Sequence, residues 1–362
     1  MARLAVIVFI LLLAGGCERS PTPYEWELPY SVPEPVVPAD NPMTEEKVAL
    51  GRALFYDTAL SQNQRQSCAS CHQQANGFAE PVRQSVGTTG EAVSRNALAL
   101  VNVAYNGSLT WAHNGLKTIE QQLLIPLFND DPVELGLSTR NPALLERFNT
   151  PRYRAMFEQA FGEPDPSWDY IVKALASFVR SLVSFSSPFD DYAYGGNDAA
   201  LTDRQLKGMT LFFSERLECF HCHGGVNFTQ SSKHAGQQLD LRPFHNTGLY
   251  NTDGNGAYPE TDQGLYSVSF NPEDMGKFRA PTLRNITVTA PYMHDGSVAT
   301  LAEVIDIYAS GGRDAGRFSP YKSPFVKGFE ITDEEKDALI DFLNSLTDQS
   351  FLHDARFGPP AD

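Results

Sequence analysis

The chain has 362 residues, a formal net charge of −16 and a composition that is 42% hydrophobic and 11% aromatic. That length is enough for two domains with sizeable cores, and the composition excludes collagen-like, coiled-coil and disordered classes. The acidic balance argues against nucleic acid and against charge-driven docking on anionic lipid, leaving a solubility surface as the plainest reading of the charge.

In chain order, the first element is the apolar run over residues 4–14 behind Arg3. It is shorter than the roughly 20 apolar residues of a spanning helix, so residues 1–16 read as a signal peptide. Gly15-Gly16-Cys17 resembles a lipobox, with Ala14 where Leu is usual. Cys17 then becomes a lipidated first residue; the alternative is cleavage nearby that leaves its thiol free. Residues 17–43 hold seven prolines and no periodic apolar pattern, and read as a semi-extended tether. Helical spacing begins at Thr44, with Val48, Leu50, Ala53, Leu54 and Phe55 in register. A second helix is predicted from Ser167 to about Phe185, with Ile171, Leu175, Phe178, Val179 and Leu182 on one face. A third follows the capping box Thr332-Asp333-Glu334-Glu335 and carries Leu339, Ile340, Phe342, Leu343 and Leu346. Strand alternation is weak throughout, so the fold class is mainly α.

An internal repeat organises this pattern. Gly51-Arg52-Ala53-Leu54-Phe55 precedes Cys68-Ala69-Ser70-Cys71-His72, and Gly208-Met209-Thr210-Leu211-Phe212 precedes Cys219-Phe220-His221-Cys222-His223. Each copy is followed by a phenylalanine, Phe78 or Phe228. Two packed cytochrome c-like helical domains are expected, over residues 44–201 and 202–350, with a tail at 351–362 and a joint around 187–201. Cys-x-x-Cys-His lets two thiols add to the haem vinyl groups while the adjacent His swings beneath the iron. A four-cysteine zinc site would need two distant metal knuckles, each with a trailing His; a thioredoxin-like pair would need a βαβ setting that is missing. Two motifs in a repeat behind a signal peptide instead favour two covalent c-type haems on Cys68, Cys71, Cys219 and Cys222, with His72 and His223 as proximal ligands. With Cys17, these account for all five cysteines. His221, inside the second motif, reads as a surface residue.

On these motifs the chain resembles the bacterial di-haem cytochrome c peroxidase and MauG superfamily over residues 44–346. The resemblance is carried by residues 66–72, 95–106 with Trp111, Pro132-Val133-Glu134, 219–224, and Ala280-Pro281-Thr282-Leu283-Arg284-Asn285 leading to Ala290-Pro291-Tyr292-Met293-His294-Asp295-Gly296. The runs 67–73, 102–112 and 132–137 are most similar to the MbnH-type enzymes. By position, the resemblance implies Gln121 and Glu134 as the distal pair that handles peroxide, Trp111 as a relay between the haems, and Asn96, Thr289 and Pro291 as calcium ligands. It implies Tyr308 where the peroxidases carry an axial Met on the C-terminal haem, as in MauG. The 73–96 loop holds no histidine, which leaves the N-terminal haem open to hydrogen peroxide. Leu217 stands where MauG has a surface tryptophan, so the exit route for oxidising equivalents does not transfer.

Three functions follow. The resemblance to MauG and MbnH implies a peroxide-driven, high-valent two-haem enzyme that oxidises a tryptophan, to kynurenine, on a small secreted copper-binding protein. The alternatives are a peroxidase fed by a small redox protein and a non-enzymatic electron carrier. The His-free loop argues against the carrier, and a phenolate ligand, which lowers the haem potential, argues against the peroxidase.

Overall fold

The computed structural model describes residues 20–239, 241 and 243–361; the expected signal peptide and Cys17 lie outside them. Regular structure among the described residues is helical, with only isolated bridges such as Gln73 to Ala79. The first half contributes α1 (Glu45–Tyr56), α2 (Cys68–Cys71), α3 (Ile119–Phe128), α4 (Pro142–Glu146), α5 (Pro151–Phe161), α6 (Trp168–Ser181) and α7 (Pro188–Ala193). The second contributes α8 (Asp203–Phe212), α9 (Phe220–His223), α10 (Tyr266–Ser269), α11 (Leu301–Ala309), α12 (Asp333–Asn344) and α13 (Gln349–His353). The expected caps are in place. The Thr44 hydroxyl accepts from the Lys47 N–H and the Ser167 hydroxyl from the Tyr170 N–H. Thr332 and Glu335 bond reciprocally across α12's first turn, satisfying N–H groups that a helix start leaves orphaned.

The sequence repeat is a structural repeat. Helix α1 crosses α6 as α8 crosses α12, and the contact point is a glycine in each case. A Cβ on Gly51 would stand 1.9 Å from the Ala174 carbonyl oxygen and 2.9 Å from Phe178 Cβ. A Cβ on Gly208 would stand 1.9 Å from the Ala338 oxygen and 2.8 Å from Phe342 Cβ. Only glycine lets backbones approach this closely. One core forms around Leu50, Leu54, Phe55, Phe78 and Phe178; the other around Phe212, Phe228, Leu339 and Phe342.

The units are locked together by a buried polar hub. Asn102 and Asn285 both adopt left-handed backbone, with φ of 53° and 58°, a conformation asparagine tolerates. The Asn102 N–H donates to Leu182 O and the Asn285 N–H to Leu346 O. Asn102 Oδ1 accepts from the Ser184 N–H at 2.7 Å, and Asn285 Oδ1 from the Asp348 N–H at 2.8 Å. Ser184 Oγ donates to Asp348 Oδ2 at 3.0 Å and accepts from Asn285 Nδ2. This hub explains why α6 stops at Ser181 rather than near Phe185, since Asn102 takes the backbone groups that a longer helix would use.

Both chain ends depart from expectation. The proline-rich segment is extended, but its described part is laid on the body instead of spanning free solvent. Val32 packs with Tyr105 and Phe185, Tyr105 Oη donates to Pro33 O, and the Ala235 N–H donates to Glu34 O. The tail folds back onto the N-terminal unit: Phe351, Leu352 and Phe357 join that unit's core, while Arg52 bonds to the carbonyls of Ala355 and Gly358 at 2.6 Å. Apolar side chains in both segments find partners far away in sequence, which local composition does not register.

Gly51→Ala and Gly208→Ala test the repeat. Helix propensity alone favours alanine by about 1 kcal/mol, but the carbonyl clash should outweigh it and leave each variant about 1–3 kcal/mol less stable in denaturant unfolding. A gain in stability would refute the close crossing.

Candidate functional site

Each Cys-x-x-Cys-His motif forms one short helical turn followed by a loop that returns a carbonyl to the histidine. Phe78 O meets His72 Nδ1 at 2.8 Å. Phe228 O and Pro281 O meet His223 Nδ1 at 3.3 and 3.1 Å. The two phenylalanines hold φ of 60° and 48°, an uncommon backbone for a bulky residue. Fully buried rings fix it. A carbonyl on Nδ1 makes that nitrogen the donor and leaves the Nε2 lone pair for a metal. Burial lowers the pKa of both rings, His223 to about 4, so each stays in the neutral, ligating form.

The thiols discriminate among the rival readings. Burial pushes Cys68 and Cys219 up to about 12 and Cys71 and Cys222 up to about 11. A redox-exchange pair needs the opposite shift. Nor do the four cysteines gather: among the described residues, the one group of three or more His, Cys, Asp or Glu ligand atoms lying within 4.8 Å of one another is Glu215, Glu218 and His221. His221 pairs with Glu218 at 2.7 Å and stacks on Phe325 at the rim, away from the ligating position, as expected.

A large cavity runs beside the second motif, with Cys219, Cys222, His223, Tyr308, Trp111 and Arg279 among its lining. Tyr308 reaches it from α11. Burial, reinforced by the nearby Cys222 and Cys219 thiols, pushes its phenol above the usual range, so binding to a metal would release that proton. Trp111 is fixed by its indole N–H donating to Asn96 O at 2.8 Å. Arg279 is the informative residue that the motif reading missed. It is only 4% exposed, and its guanidinium bonds to the carbonyls of Thr110 and Ala280. No carboxylate among the described residues pairs with it, and burial lowers its pKa to about 10. A buried cation without a counter-charge is costly. The haem propionates are anions of the right kind, so the cavity fits the group. Its position before Ala280 was visible in sequence; its burial was not.

Around the first motif the expected pair differs in exposure. Glu134 follows Pro132 in a loop pinned by the Thr88 N–H to Glu134 O and the Leu135 N–H to Pro126 O. Its carboxyl lies near enough to Cys68 and Cys71 to influence both, and burial raises its pKa. Gln121 is exposed at the start of α3, where its Oε1 accepts from the Lys117 N–H as a helix cap. The next residue, Gln122, has a buried amide oxygen without a hydrogen-bond partner. One step along a helix rotates about 100°, so Gln122 rather than Gln121 turns its amide into the protein. Asn96, Thr289 and Pro291 each line this cavity, and Asn96 Nδ2 donates to Val82 O and Arg83 O.

Replacing Arg279 with Gln removes the cation that would oppose oxidation of the adjacent haem. The midpoint potential of that haem should fall by tens of millivolts, on the order of a weak buried charge interaction, in a spectroelectrochemical titration. An unchanged potential would mean that Arg279 faces no haem.

Comparison with known proteins agrees with this geometry. The profile of the di-haem cytochrome c peroxidase family matches residues 45–198. Cytochrome-c peroxidase IdrP1 of Pseudomonas sp. strain SCT is 33% identical over 97% of this chain and 94% of its own length. Methylamine utilization protein MauG of Methylorubrum extorquens is 32% identical over 88% and 82%. The crystal structure of a MauG-like protein associated with microbial copper homeostasis superposes with a TM-score of 0.90 at 46% identity, over 93% of this chain and 99% of that one. The diheme peroxidase BthA of Burkholderia thailandensis, at 23% identity and a TM-score of 0.67, shares the fold. Relatives of this similarity and coverage make the chain a member of the di-haem cytochrome c peroxidase and MauG family of oxidoreductases.

Proposed function

We propose that this enzyme uses hydrogen peroxide to oxidise a tryptophan, to kynurenine, on a small secreted copper-binding protein. The observation that carries the reading is Tyr308, a phenol on the cavity wall shared with Cys219, Cys222 and His223. A hard anionic donor favours the more oxidised states of iron and lowers its potential. That suits storing an oxidising equivalent and ill suits drawing electrons from an ordinary cytochrome. The copper connection rests on the 46%-identical relative associated with copper homeostasis and on the resemblance of residues 67–73, 102–112 and 132–137 to MbnH-type enzymes.

When bound, the haems supply the iron that receives peroxide and the two electrons its reduction takes. The chain's own groups do the remaining work. Cys68 and Cys71 hold one haem in a peroxide-reactive domain over residues 44–201; Cys219 and Cys222 hold the other in an electron-transfer domain over 202–350. His72 and His223 present Nε2 because carbonyls occupy Nδ1. Glu134, whose burial raises its affinity for a proton, takes the proton of one peroxide oxygen and returns it to the other, so that the leaving oxygen departs as water. The first turn of α3 supplies the distal amide, from Gln121 or from its inward-turned neighbour Gln122. Trp111 relays electrons between the sites. The Asn96 side chain with the carbonyls of Thr289 and Pro291 forms an oxygen-only set suited to Ca²⁺. The leader at 1–16 directs the enzyme to the periplasm, with Cys17 as a lipid anchor; no helix among the described residues is long and apolar enough to cross a membrane.

The peroxidase reading draws support from the 33%-identical relative named cytochrome-c peroxidase. Co-expression with a small secreted copper-binding protein as candidate partner, followed by mass spectrometry, separates the two. A mass gain on one partner tryptophan, absent with His72→Ala, is expected. An unmodified partner together with rapid peroxide-dependent consumption of reduced cytochrome c would establish the peroxidase instead.

Trp111→Phe keeps an aromatic ring but removes an easily oxidised indole. It should leave peroxide binding at the first haem intact and slow oxidation of the second by about tenfold or more, a typical loss for a needed redox group. Stopped-flow traces at the parent rate for both haems would reduce Trp111 to a packing residue.

A further inference from the structure

We infer that Tyr250, with Asp295 as its proton acceptor, is a redox station that holds an oxidising equivalent on the way from the haem cavity to the surface. The inference rests on the peroxide-driven reading above for its oxidant. It begins from a chain of rings leading away from the cavity. Trp111, Phe278 and His294 line the cavity wall, and Phe278 stacks on His294 with centroids 3.7 Å apart. Tyr258 lies 6.1 Å from Phe278 and 6.2 Å from His294. Tyr250 follows, 5.5 Å from Tyr258 and 6.3 Å from His294. All of these separations are short for electron transfer between aromatic groups.

The two tyrosines differ in what their hydroxyls can do with a proton. A phenol that loses an electron becomes strongly acidic, so a tyrosine is readily oxidised only where a base accepts its proton at the same time. Tyr258 is 2% exposed, and its hydroxyl donates to the Asn246 amide oxygen at 3.1 Å, an acceptor too weak to take a proton away. Tyr250 donates to a carboxylate, Asp295 Oδ2, at 2.5 Å. Burial opposes ionisation of Asp295, yet the Tyr250 hydroxyl, His294 and Ser297 outweigh it and hold the carboxyl below its usual range. It is therefore a base at neutral pH. Arg83 stands 3.6 Å from the same oxygen, with its side chain 61% exposed, which carries the pair to the surface. The Arg313 guanidinium sits 4.7 Å over the Tyr250 ring.

The step balances. One electron leaves Tyr250 for the peroxide-oxidised haem pair, and the phenolic proton moves from Tyr250 Oη to Asp295 Oδ2, leaving a neutral tyrosyl radical beside a neutral carboxylic acid. An electron from an outside donor, together with return of the proton, restores the pair.

The test is electron paramagnetic resonance of the freeze-quenched holoenzyme without partner protein, oxidised in one arm by peroxide and in the other by photo-oxidised ruthenium tris-bipyridine. The parent should give an organic radical whose hyperfine pattern narrows with ring-deuterated tyrosine. Tyr250→Phe should lose that signal in both arms and Tyr258→Phe should keep it. Asp295→Asn should lose most of it even though the Tyr250 ring remains. A tyrosyl signal that survives in Tyr250→Phe overturns the inference. If peroxide leaves the haem spectrum of the parent unchanged, the peroxide reading falls, while the ruthenium arm still decides Tyr250.

Discussion

Two haem sites can work as one device only if the chain fixes their separation, and here that task falls to the buried hub of Asn102, Ser184, Asn285 and Asp348. Its members come from both halves, and each asparagine bonds to the segment that follows its own unit's long helix, after Leu182 or Leu346. The strip that ends in Asn285 also carries Pro281, whose carbonyl meets His223 Nδ1. A hub of this kind is fully effective only when every member is satisfied. That dependence ties the packing of the two halves to the strip that sets the Pro281 carbonyl against His223.

Buried charge supports the arrangement differently at each place. Arg284 is fully buried, paired with Asp190 at 2.9 Å, bonded to Val226 O, and lies 4.2 Å from the Phe185 ring. Such a pair adds little net stability over apolar packing, but losing one partner is costly, so it specifies how α7 meets the loop behind the second motif. Arg180 with Glu120 does the same for α3 against α6. Among the described residues Arg279 has no such partner. A cavity guanidinium with only carbonyls described around it suits an anionic group there, which sets it apart from the two paired arginines.

The asymmetry between the two halves is chemical rather than architectural. Glycine crossings, left-handed phenylalanines and carbonyl-pinned histidines repeat in both. What differs is the surroundings of each site: a half-buried glutamate with a raised pKa near the first motif, and a tyrosine, a tryptophan and an arginine with no carboxylate partner among the described residues around the second. A duplicated scaffold thus surrounds its two Cys-x-x-Cys-His sites with different chemistry, in line with the rule that function resides in sites set on a common fold.

Much of this was legible in the sequence because it depends on neighbours a few residues apart. The Cys-x-x-Cys-His spacing, the Thr332–Glu335 capping box and the Gly51 and Gly208 repeat are local patterns whose physics acts within one or two helical turns. Tertiary structure decided whatever depends on distant partners. It turned Gln121 outward and Gln122 inward, since which face of α3 meets the body is set by distant packing partners. It ended α6 early to serve Asn102, laid residues 20–43 and 351–361 across the body, and left Arg279 without a counter-charge among the described residues. It also set Asp295 against Tyr250 and only an amide against Tyr258, a difference between two tyrosines that no spacing encodes, because burial and proton acceptors are properties of the folded surroundings and not of the chain.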